Sequence, residues 1–311
     1  MAQLLIALAL IATMSAQREP PQVNVQPRSR HLSIDAVAVD RKGLPVQDLR
    51  AAELEVWING YRVPIESLTV MTPAKDAGSG RSIVLLLDDI TLEPAVVPRA
   101  RDAARRFVDR MSPADQMAIV TLNGISIMES TGDRARLLQS LNAYTARATG
   151  VMRLDTLAEH LLGTIAAISR RFAETSDRRK TVVAIGSSWL LDTPILPSIG
   201  GRDLRPEWTD AMRAMALANV TLYVVDPAGL GPSRTLSGSS GFAGETGGYA
   251  FANTNDFDGA AERIMSEAGF YYVIEITDPP VGRKADLREL DVRVLRRGIT
   301  VRARRAIPGG R

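Results

Sequence analysis

Three runs of consecutive apolar residues constrain the fold of this chain more than any other feature. They are "SIVLLLD" (82–88), "KTVVAIGSS" (180–188) and "NVTLYVVD" (219–226). A strand with one face in water alternates apolar and polar residues, whereas a strand of a parallel sheet is covered on both faces and is apolar along its length. The runs therefore predict buried strands of a parallel sheet.

Helical patterns separate these strands. Residues 94–111 place apolar side chains on one stripe at a spacing of about 3.6 residues, with arginines opposite. Further segments predict helices at 133–143, 153–172, 207–218 and 256–268, and shorter strands at 117–122, 126–130, 249–252 and 270–276. The alternation of strands and helices predicts an α/β fold with a mostly parallel sheet and helices on both faces.

The segment before the first apolar run has the alternating pattern of antiparallel strands. "LSIDAVAVD" (32–40) places its apolar residues on one side. Asn59-Gly60 lies between two alternating segments and predicts a hairpin, because both residues tolerate positive φ. Pro64 lacks a backbone N–H and predicts that the second strand of this hairpin lies at a sheet edge.

The C-terminal tail returns to the same pattern, with residues 283–306 alternating around Arg297-Gly298. This predicts a second hairpin. A lone hairpin is marginally stable in water, so neither end of the chain has enough strands to bury a core by itself. We therefore expect residues 31–75 and 277–306 to pair as one discontinuous β module beside an α/β domain of residues 82–276.

The charge balance is mildly basic. The formal net charge is +3 and nearly all of the basic residues are arginine, which gives no reason to expect nucleic acid as a partner. The basic clusters at 178–180 and 304–305 predict solvated surface. Arg293, Arg302 and Arg304 occupy alternate positions of the last hairpin, so we expect them to share one exposed face.

The N-terminus predicts export from the cytoplasm. Residues 1–17, "MAQLLIALALIATMSAQ", fit a cleaved secretory signal, and the polar, proline-rich residues 18–30 have the composition of a linker. An uncleaved anchor and a buried first helix are the alternatives. No later stretch approaches the ~18 apolar residues of a membrane span, so we expect a secreted or periplasmic protein with no stable membrane span after cleavage. The chain has no cysteine, which excludes disulfides, thiolate metal sites and a cysteine nucleophile.

Several segments, taken in order, resemble bacterial secreted proteins that carry a VWFA-related (von Willebrand factor A, VWA) domain. They are "VAVDRKGLPVQDLRAAELEVWINGYRVPIESL", "SIVLLLDD", "DAARRFVDRMSPADQMAIVTLNG", "ETGGYAFANTNDFDGAAERIMSEAGFYYVIEI" and "LDVRVLRRGITVRARRAI". The similarity covers about residues 31–306. It implies a doubly wound sheet in the α/β domain and a small β-sandwich-like module formed by the segments on either side.

The resemblance also implies a place for a metal ion. VWA domains hold a divalent cation at the carboxyl ends of the strands with a D-x-S-x-S motif, a threonine from a second loop and an aspartate after the fourth strand. Several hard oxygens must converge there. If Asp88 takes the first place of the motif, the serine places hold Ile90 and Leu92, which offer no oxygen.

If Asp89 takes the first place instead, the serine places hold Thr91 and Glu93, which could both ligate. The second-loop threonine is matched by Val151 or Met152, with Thr149 close by. The aspartate after the fourth strand is replaced by Ser187 or is absent. We therefore expect a degenerate site without a tightly bound metal ion and without a cofactor; if a divalent cation binds weakly, its ligands would be Asp88, Asp89 and Thr91. A simpler interpretation is that the two aspartates favour the N-terminus of the following helix.

A catalytic motif is missing. "GSSG" (238–241) lacks the spacing of G-x-S-x-G, and no phosphate-binding glycine motif follows a strand. Of the two histidines, His31 lies next to the linker, and we expect His160 to be a partly buried structural residue. The long Gly/Ser-rich segment 227–248 is typical of a functional loop.

These observations favour a non-catalytic VWA-like module that binds another protein or an envelope component. The alternatives are a metal-dependent (Mg²⁺ or Ca²⁺) adhesion domain and an enzyme of unknown type. Trp189 follows the fourth strand and is either a contact anchor or a packed side chain. The expected ligand-binding edge contains Asp88, Asp89, Thr91, Glu93, Ser187 and Trp189.

Overall fold

A six-stranded sheet built from the apolar runs forms the centre of the molecule. The computed structural model describes residues 31–72, 80–146, 153–174, 180–186, 202–230, 241–282 and 284–309. The strands of the central sheet are β5 (Ser82–Leu87), β6 (Gln116–Thr121), β7 (Ser126–Thr131), β8 (Lys180–Ile185), β9 (Val220–Val225) and β10 (Ala250–Phe251). Their order is β10-β9-β8-β5-β6-β7, and all neighbours are parallel except the antiparallel edge strand β7. This is the doubly wound order, as the resemblance implied.

Helices cover both faces of the central sheet. They are α1 (Val97–Asp109), α2 (Arg134–Ala143), α3 (Leu154–Ala173), α4 (Arg205–Ala218), α5 (Gly241–Glu245) and α6 (Phe257–Gly269). Side chains of α3, α4 and α5 share one core with the sheet, and those of α1, α2 and α6 share the other. The predicted α/β fold with helices on both faces is confirmed.

The apolar run of β5 contributes side chains to both hydrophobic cores. Val84 and Leu86 point into the α3–α5 core, while Ile83, Leu85 and Leu87 point into the core of α1, α2 and α6. Each fully buried aliphatic side chain of this kind stabilises the fold by about 1.5–3 kcal/mol. A polar residue at any of these positions would lose that contribution, which explains why the run has no alternation.

Two four-stranded antiparallel sheets form the β module. The strands are β1 (His31–Asp40), β2 (Leu54–Ile58), β3 (Tyr61–Val63), β4 (Ile65–Met71), β11 (Tyr271–Thr277), β12 (Leu287–Val294), β13 (Ile299–Ala303) and β14 (Ala306–Pro308). The strand orders are β13-β1-β11-β4 and β14-β12-β2-β3. Each sheet thus combines strands from both ends of the chain, and the two enclose a common apolar core.

The predicted boundary of the α/β domain at residue 276 is wrong, because the strand predicted at 270–276 belongs to the β module. β11 pairs with β1 on one side and β4 on the other, within the β module. Its burial alternates, with Tyr272, Ile274 and Ile276 in the module core. The hydroxyl of Tyr272 donates to the carbonyl of Val46 at 2.8 Å. Alternating burial is typical of a sheet with one covered face, and the pairing with β1 and β4 places β11 in the β module.

Of the two predicted hairpins, one is correct and one is wrong. Asn59 and Gly60 have φ of 47° and 77° and join β2 to β3, as predicted. Pro64 separates β3 from β4, which are edge strands of the two sheets. Gly298, with φ of 80°, also forms a turn, but β12 and β13 belong to different sheets, so the second predicted hairpin is a crossing between sheets.

The arginines of the last strands were expected to be exposed, and two of the three are not. Arg302 on β13 and Arg304 directly after it are only 7% and 8% exposed, because they contact the α/β part at the carbonyls of Gly248 and Ala216. Arg293, on β12, is exposed as expected. His160 was expected to be partly buried and is exposed.

Two further predictions concern chain segments rather than single residues. The loop 227–248 contains the short helix α5, whose Phe242 and Ala243 are buried, so it is not one unbroken loop. The expected signal (1–17) and linker (18–30) lie outside the described residues. No helix within the described ranges has both the length and the apolar character needed to cross a membrane.

Candidate functional site

The carboxyl ends of β5 and β8 mark the point at which the strand order of the central sheet reverses. In open α/β sheets, ligands bind in the crevice outside this switch point. Asp88 and Asp89 follow β5 directly, and Gly186 follows β8. The backbone N–H of Asp88 donates to the carbonyl of Ile185 at 3.0 Å, which extends the pairing of the two strands to the position where the loops diverge.

Asp88 organises its own loop. One carboxylate oxygen, Oδ1, accepts from the N–H groups of Ile90 and Thr91 at 3.1 and 2.8 Å. The other, Oδ2, accepts from the hydroxyl of Thr91. An aspartate that binds the backbone two residues ahead forms an Asx-turn. The carboxylate is 6% exposed and serves the loop as a charge-assisted acceptor.

Asp89 connects this loop to its neighbour. Its Oδ1 accepts from the backbone N–H of Asn123 at 3.0 Å, in the turn between β6 and β7. The N–H of Leu122 donates to the carbonyl of Leu87 at 2.7 Å. The first loop and the β6–β7 turn are therefore held together by one side-chain and one backbone hydrogen bond.

Tyr144, which sequence reasoning did not identify, anchors a third segment at this edge. It follows α2, is buried, and donates from its hydroxyl to the carbonyl of Asp88 at 2.6 Å. Burial raises the pKa of this hydroxyl, and the charges of Asp88 and Asp89 raise it further, so the group remains a donor throughout the ordinary pH range. Arg101 of α1 donates from Nε to the carbonyl of Tyr144 at 2.9 Å.

Gly186 permits the close contact between β8 and the Asp88 side chain. A Cβ at this position would overlap the Cβ of Asp88 and lie 3.0 Å from its Oδ2. No sequence signal distinguishes this glycine from a flexible one, because the contact joins residues about one hundred positions apart.

The described donors do not fit a tightly held divalent cation. Both carboxylate oxygens of Asp88 and Oδ1 of Asp89 accept hydrogen bonds from the Thr91 hydroxyl or from backbone N–H groups, and a cation would compete with these donors for the same oxygens. Ile90 and Leu92 are buried, one in each core. Within the described ranges, no group of three or more His, Asp or Glu side chains is placed to hold a metal ion. Thr149, Ser187, Trp189 and positions 151 and 152 lie outside the described residues.

Comparisons with known proteins found solved structures that resemble this chain but no matching sequence. No protein-family model matches the chain, and no curated protein matches its sequence. An aerotolerance-related membrane protein from Bacteroides fragilis is 13% identical, with a TM-score of 0.42 over 61% of this chain and 98% of that one. The protein BatB from Bacteroides thetaiotaomicron is 14% identical, with a TM-score of 0.41 over 61% of this chain and 99% of that one. The manganese-loaded TRAP protein of Plasmodium vivax is 10% identical, with a TM-score of 0.40 over 76% and 96%.

The architecture itself is the decisive observation. A doubly wound sheet with one antiparallel edge strand is bracketed by a β module that both ends of the chain build. The fold is that of a VWA-like domain with a flanking β module. This agrees with the arrangement implied by the ordered sequence segments.

A second part of the VWA-like edge lies after β9 and is held by Arg99 of α1. Its Nε donates to the carbonyl of Pro227 at 2.7 Å, and its Nη2 donates to Oδ1 of Asn255 at 2.6 Å. The same Asn255 oxygen accepts from the N–H of Leu230 at 3.3 Å. The side chain of Leu230 is 75% exposed. Arg99 looked like one of several surface arginines in the helical pattern, so its role could not be predicted.

The start of α3 gives the edge of the VWA-like domain a charged rim. Arg153 donates to Asp155 from Nε and Nη2 at 3.1 and 2.8 Å, and these bonds lower the pKa of Asp155 to about 2. Arg202 donates from Nη2 to Glu159 at 2.9 Å. Glu93, predicted for the edge, is exposed. Paired charges and one exposed leucine give this rim a mixed polar and apolar surface.

Proposed function

We propose that this chain is a non-catalytic binding module that recognises another protein or an envelope component through the loops at the carboxyl edge of its VWA-like domain. The observation that carries the proposal is the convergence, at the topological switch point, of the segments after β5, β6, β8 and α2 on one hydrogen-bonded edge.

The position of the β module supports this assignment. Arg304, directly after β13, donates to the carbonyl of Ala216 at 2.7 Å, at the end of α4. Arg302 donates to the carbonyl of Gly248 at 3.2 Å, just before β10. Both contacts lie at the amino edge of the central sheet. Since β5 has six residues, the carboxyl edge lies about 20 Å away from these two contacts.

The histidines support a binding function over a catalytic one. His31 belongs to the β module, where its Nδ1 lies 2.9 Å from a carboxylate oxygen of Glu66. His160 is exposed on α3. The edge carboxylates of Asp88 and Asp89 accept hydrogen bonds from the backbone, which suits a structural role more than acid–base catalysis.

The proposal includes export. A cleaved signal at residues 1–17 and a linker at 18–30 would deliver the module to the periplasm or outside of the cell, where its partner would be found. A metal-dependent adhesion site is the alternative, and a cation there would compete with the hydrogen bonds that both oxygens of Asp88 and Oδ1 of Asp89 accept.

Site-specific photo-crosslinking tests the binding edge. A crosslinking amino acid replaces Leu230 at the edge or, as the matched control, Leu44 in a turn of the β module; both are exposed, at 75% and 58%. Irradiation in envelope extract should give a discrete adduct from position 230 that Glu93→Arg weakens, and none from position 44. Adducts from position 44 alone, or equal adducts from both, would place binding elsewhere. Turnover of a defined substrate by the purified chain would contradict the non-catalytic assignment.

A further inference from the structure

The geometry points to an ion-free staple: Asp88 and Asp89 fix the shape of the ligand-binding edge through hydrogen bonds, in the position where a VWA domain would use a cation. This inference rests on the proposed function for its purpose, since a fixed edge is of use to a binding surface. Its evidence is independent of any partner.

The staple joins four segments. Asp88 closes its own loop through Ile90 and Thr91, and its backbone binds Ile185 of β8. Asp89 holds the β6–β7 turn through the N–H of Asn123. Tyr144 adds the segment after α2 through the carbonyl of Asp88. A metal ion bridging several loops would impose the same kind of constraint.

The charge of the two buried carboxylates is balanced by local dipoles. Both side chains are 6% exposed, and a buried carboxylate without partners would be costly. The N–H groups of Ile90, Thr91 and Asn123 direct their positive ends at these oxygens. Charge-assisted hydrogen bonds to carboxylates are roughly twice as strong as neutral ones, which suits them to replace an ion.

Apolar anchors hold the loop from both sides. Ile90 is buried in the core of α3, α4 and α5, and Leu92 in the core of α1, α2 and α6. If Asp88 takes the first place of the motif, the two positions that would carry hydroxyl ligands therefore attach the loop to the protein instead. The loop cannot turn these two side chains toward a cation without exposing both of them to water.

Substitution of Asp88 by asparagine separates a staple from a metal site. The amide oxygen of Asp88→Asn still accepts from the two N–H groups, and its amino group can donate to the Thr91 hydroxyl. A metal ligand would lose its charge. Thr91→Val removes only the bond to Oδ2, and Asp88→Ala removes all the side-chain bonds.

The experiment measures amide hydrogen exchange at Ile90, Thr91 and Asn123 in the purified full chain, with EDTA or with excess Mg²⁺, Mn²⁺ or Ca²⁺. We expect the same protection and melting temperature in every condition. Asp88→Asn should retain protection to within a few fold, whereas Asp88→Ala should accelerate exchange at Ile90 and Thr91 by roughly ten-fold or more. Thr91→Val should fall between them.

Two results would overturn the staple. One is a cation that raises the melting temperature of the unmodified chain, with the rise lost in Asp88→Asn. The other is Asp88→Asn exchanging as fast as Asp88→Ala or, where Asp88→Ala does not fold, faster than Thr91→Val. The hydrogen-exchange experiment involves no partner, so a negative crosslinking result does not affect it. Conversely, a negative hydrogen-exchange result would contradict the staple but not the binding edge, which crosslinking tests separately.

Discussion

The guanidinium of Arg302, on β13, forms a buried ion pair with the carboxylate of Glu267, in the last turn of α6. The pair joins the β module to the VWA-like domain. Glu267 also accepts from Nε of Arg263 and from the hydroxyl of Tyr223, both at 3.0 Å. A carboxylate with three such partners can be buried, whereas an unpaired one would be costly.

Removing one partner of this pair should loosen the junction. Arg302→Ala leaves the Glu267 charge buried with fewer donors, and such a loss costs about 3–5 kcal/mol. Urea denaturation, followed by a signal from each part of the molecule, measures the free energy of unfolding. The control is Arg293→Ala, because Arg293 is exposed and its pair with Asp291 is solvated; we expect it to cost less than about 1 kcal/mol. Equal losses in both variants would contradict a special role for the buried pair.

The same junction should make stability sensitive to acid. Burial alone would raise the pKa of Glu267, but the charges and hydrogen bonds of Arg302 and Arg263 outweigh it and hold the pKa below its ordinary value of 4.5. A lowered pKa in the folded state contributes stability that is present above the ordinary pKa and is lost as the pH falls through the folded value. We expect the melting temperature of Glu267→Gln to fall less steeply below about pH 4.5 than that of the unmodified chain. Parallel acid profiles would show that other carboxylates dominate.

The sequence predicted the central sheet because burial on both faces leaves a direct record, as in the run at 82–88. It did not predict the junction. Arg302 and Arg304 alternate like residues of a solvent-exposed face, and the local sequence gives no sign that the α/β domain covers that face. The prediction for β11 is wrong for a related reason, because the hydrophobic pattern of a single strand does not determine which sheet the strand joins.

The candidate site was predicted only in outline. The sequence identifies Asp88 and Asp89 because they follow the first central strand. Their role as hydrogen-bond acceptors depends on the N–H groups of Ile90, Thr91 and Asn123, which only the folded loops bring close to them. Tyr144 acts through one hydroxyl on the carbonyl of a residue distant in sequence, and Gly186 acts by lacking a side chain. Neither property leaves a pattern in the sequence.

Tyr144→Phe should weaken the edge without disturbing the core. The ring stays buried, but the Asp88 carbonyl loses its 2.6 Å donor, and the loss of one such hydrogen bond costs about 0.5–1.5 kcal/mol. Chemical denaturation gives the stability, and amide exchange at Thr91 reports the local effect. Tyr61→Phe is the control, since Tyr61 is 62% exposed at the tip of the β2–β3 hairpin. A loss in the control as large as that in Tyr144→Phe would contradict the assignment.

Two glycine-to-alanine substitutions should change stability in opposite directions. At Gly186 the added methyl would overlap the Cβ of Asp88, and overpacking of this kind costs about 1–3 kcal/mol. At Gly163, exposed within α3, a Cβ meets no atom within 4 Å, so alanine should stabilise the chain by about 0.4–1 kcal/mol by restricting the unfolded state. Melting temperatures of the two variants make the comparison, and amide exchange at Ile90 and Thr91 should accelerate only in Gly186→Ala. If Gly186→Ala were as stable as the unmodified chain and kept its protection there, β8 would not press on the Asp88 loop as the structure indicates.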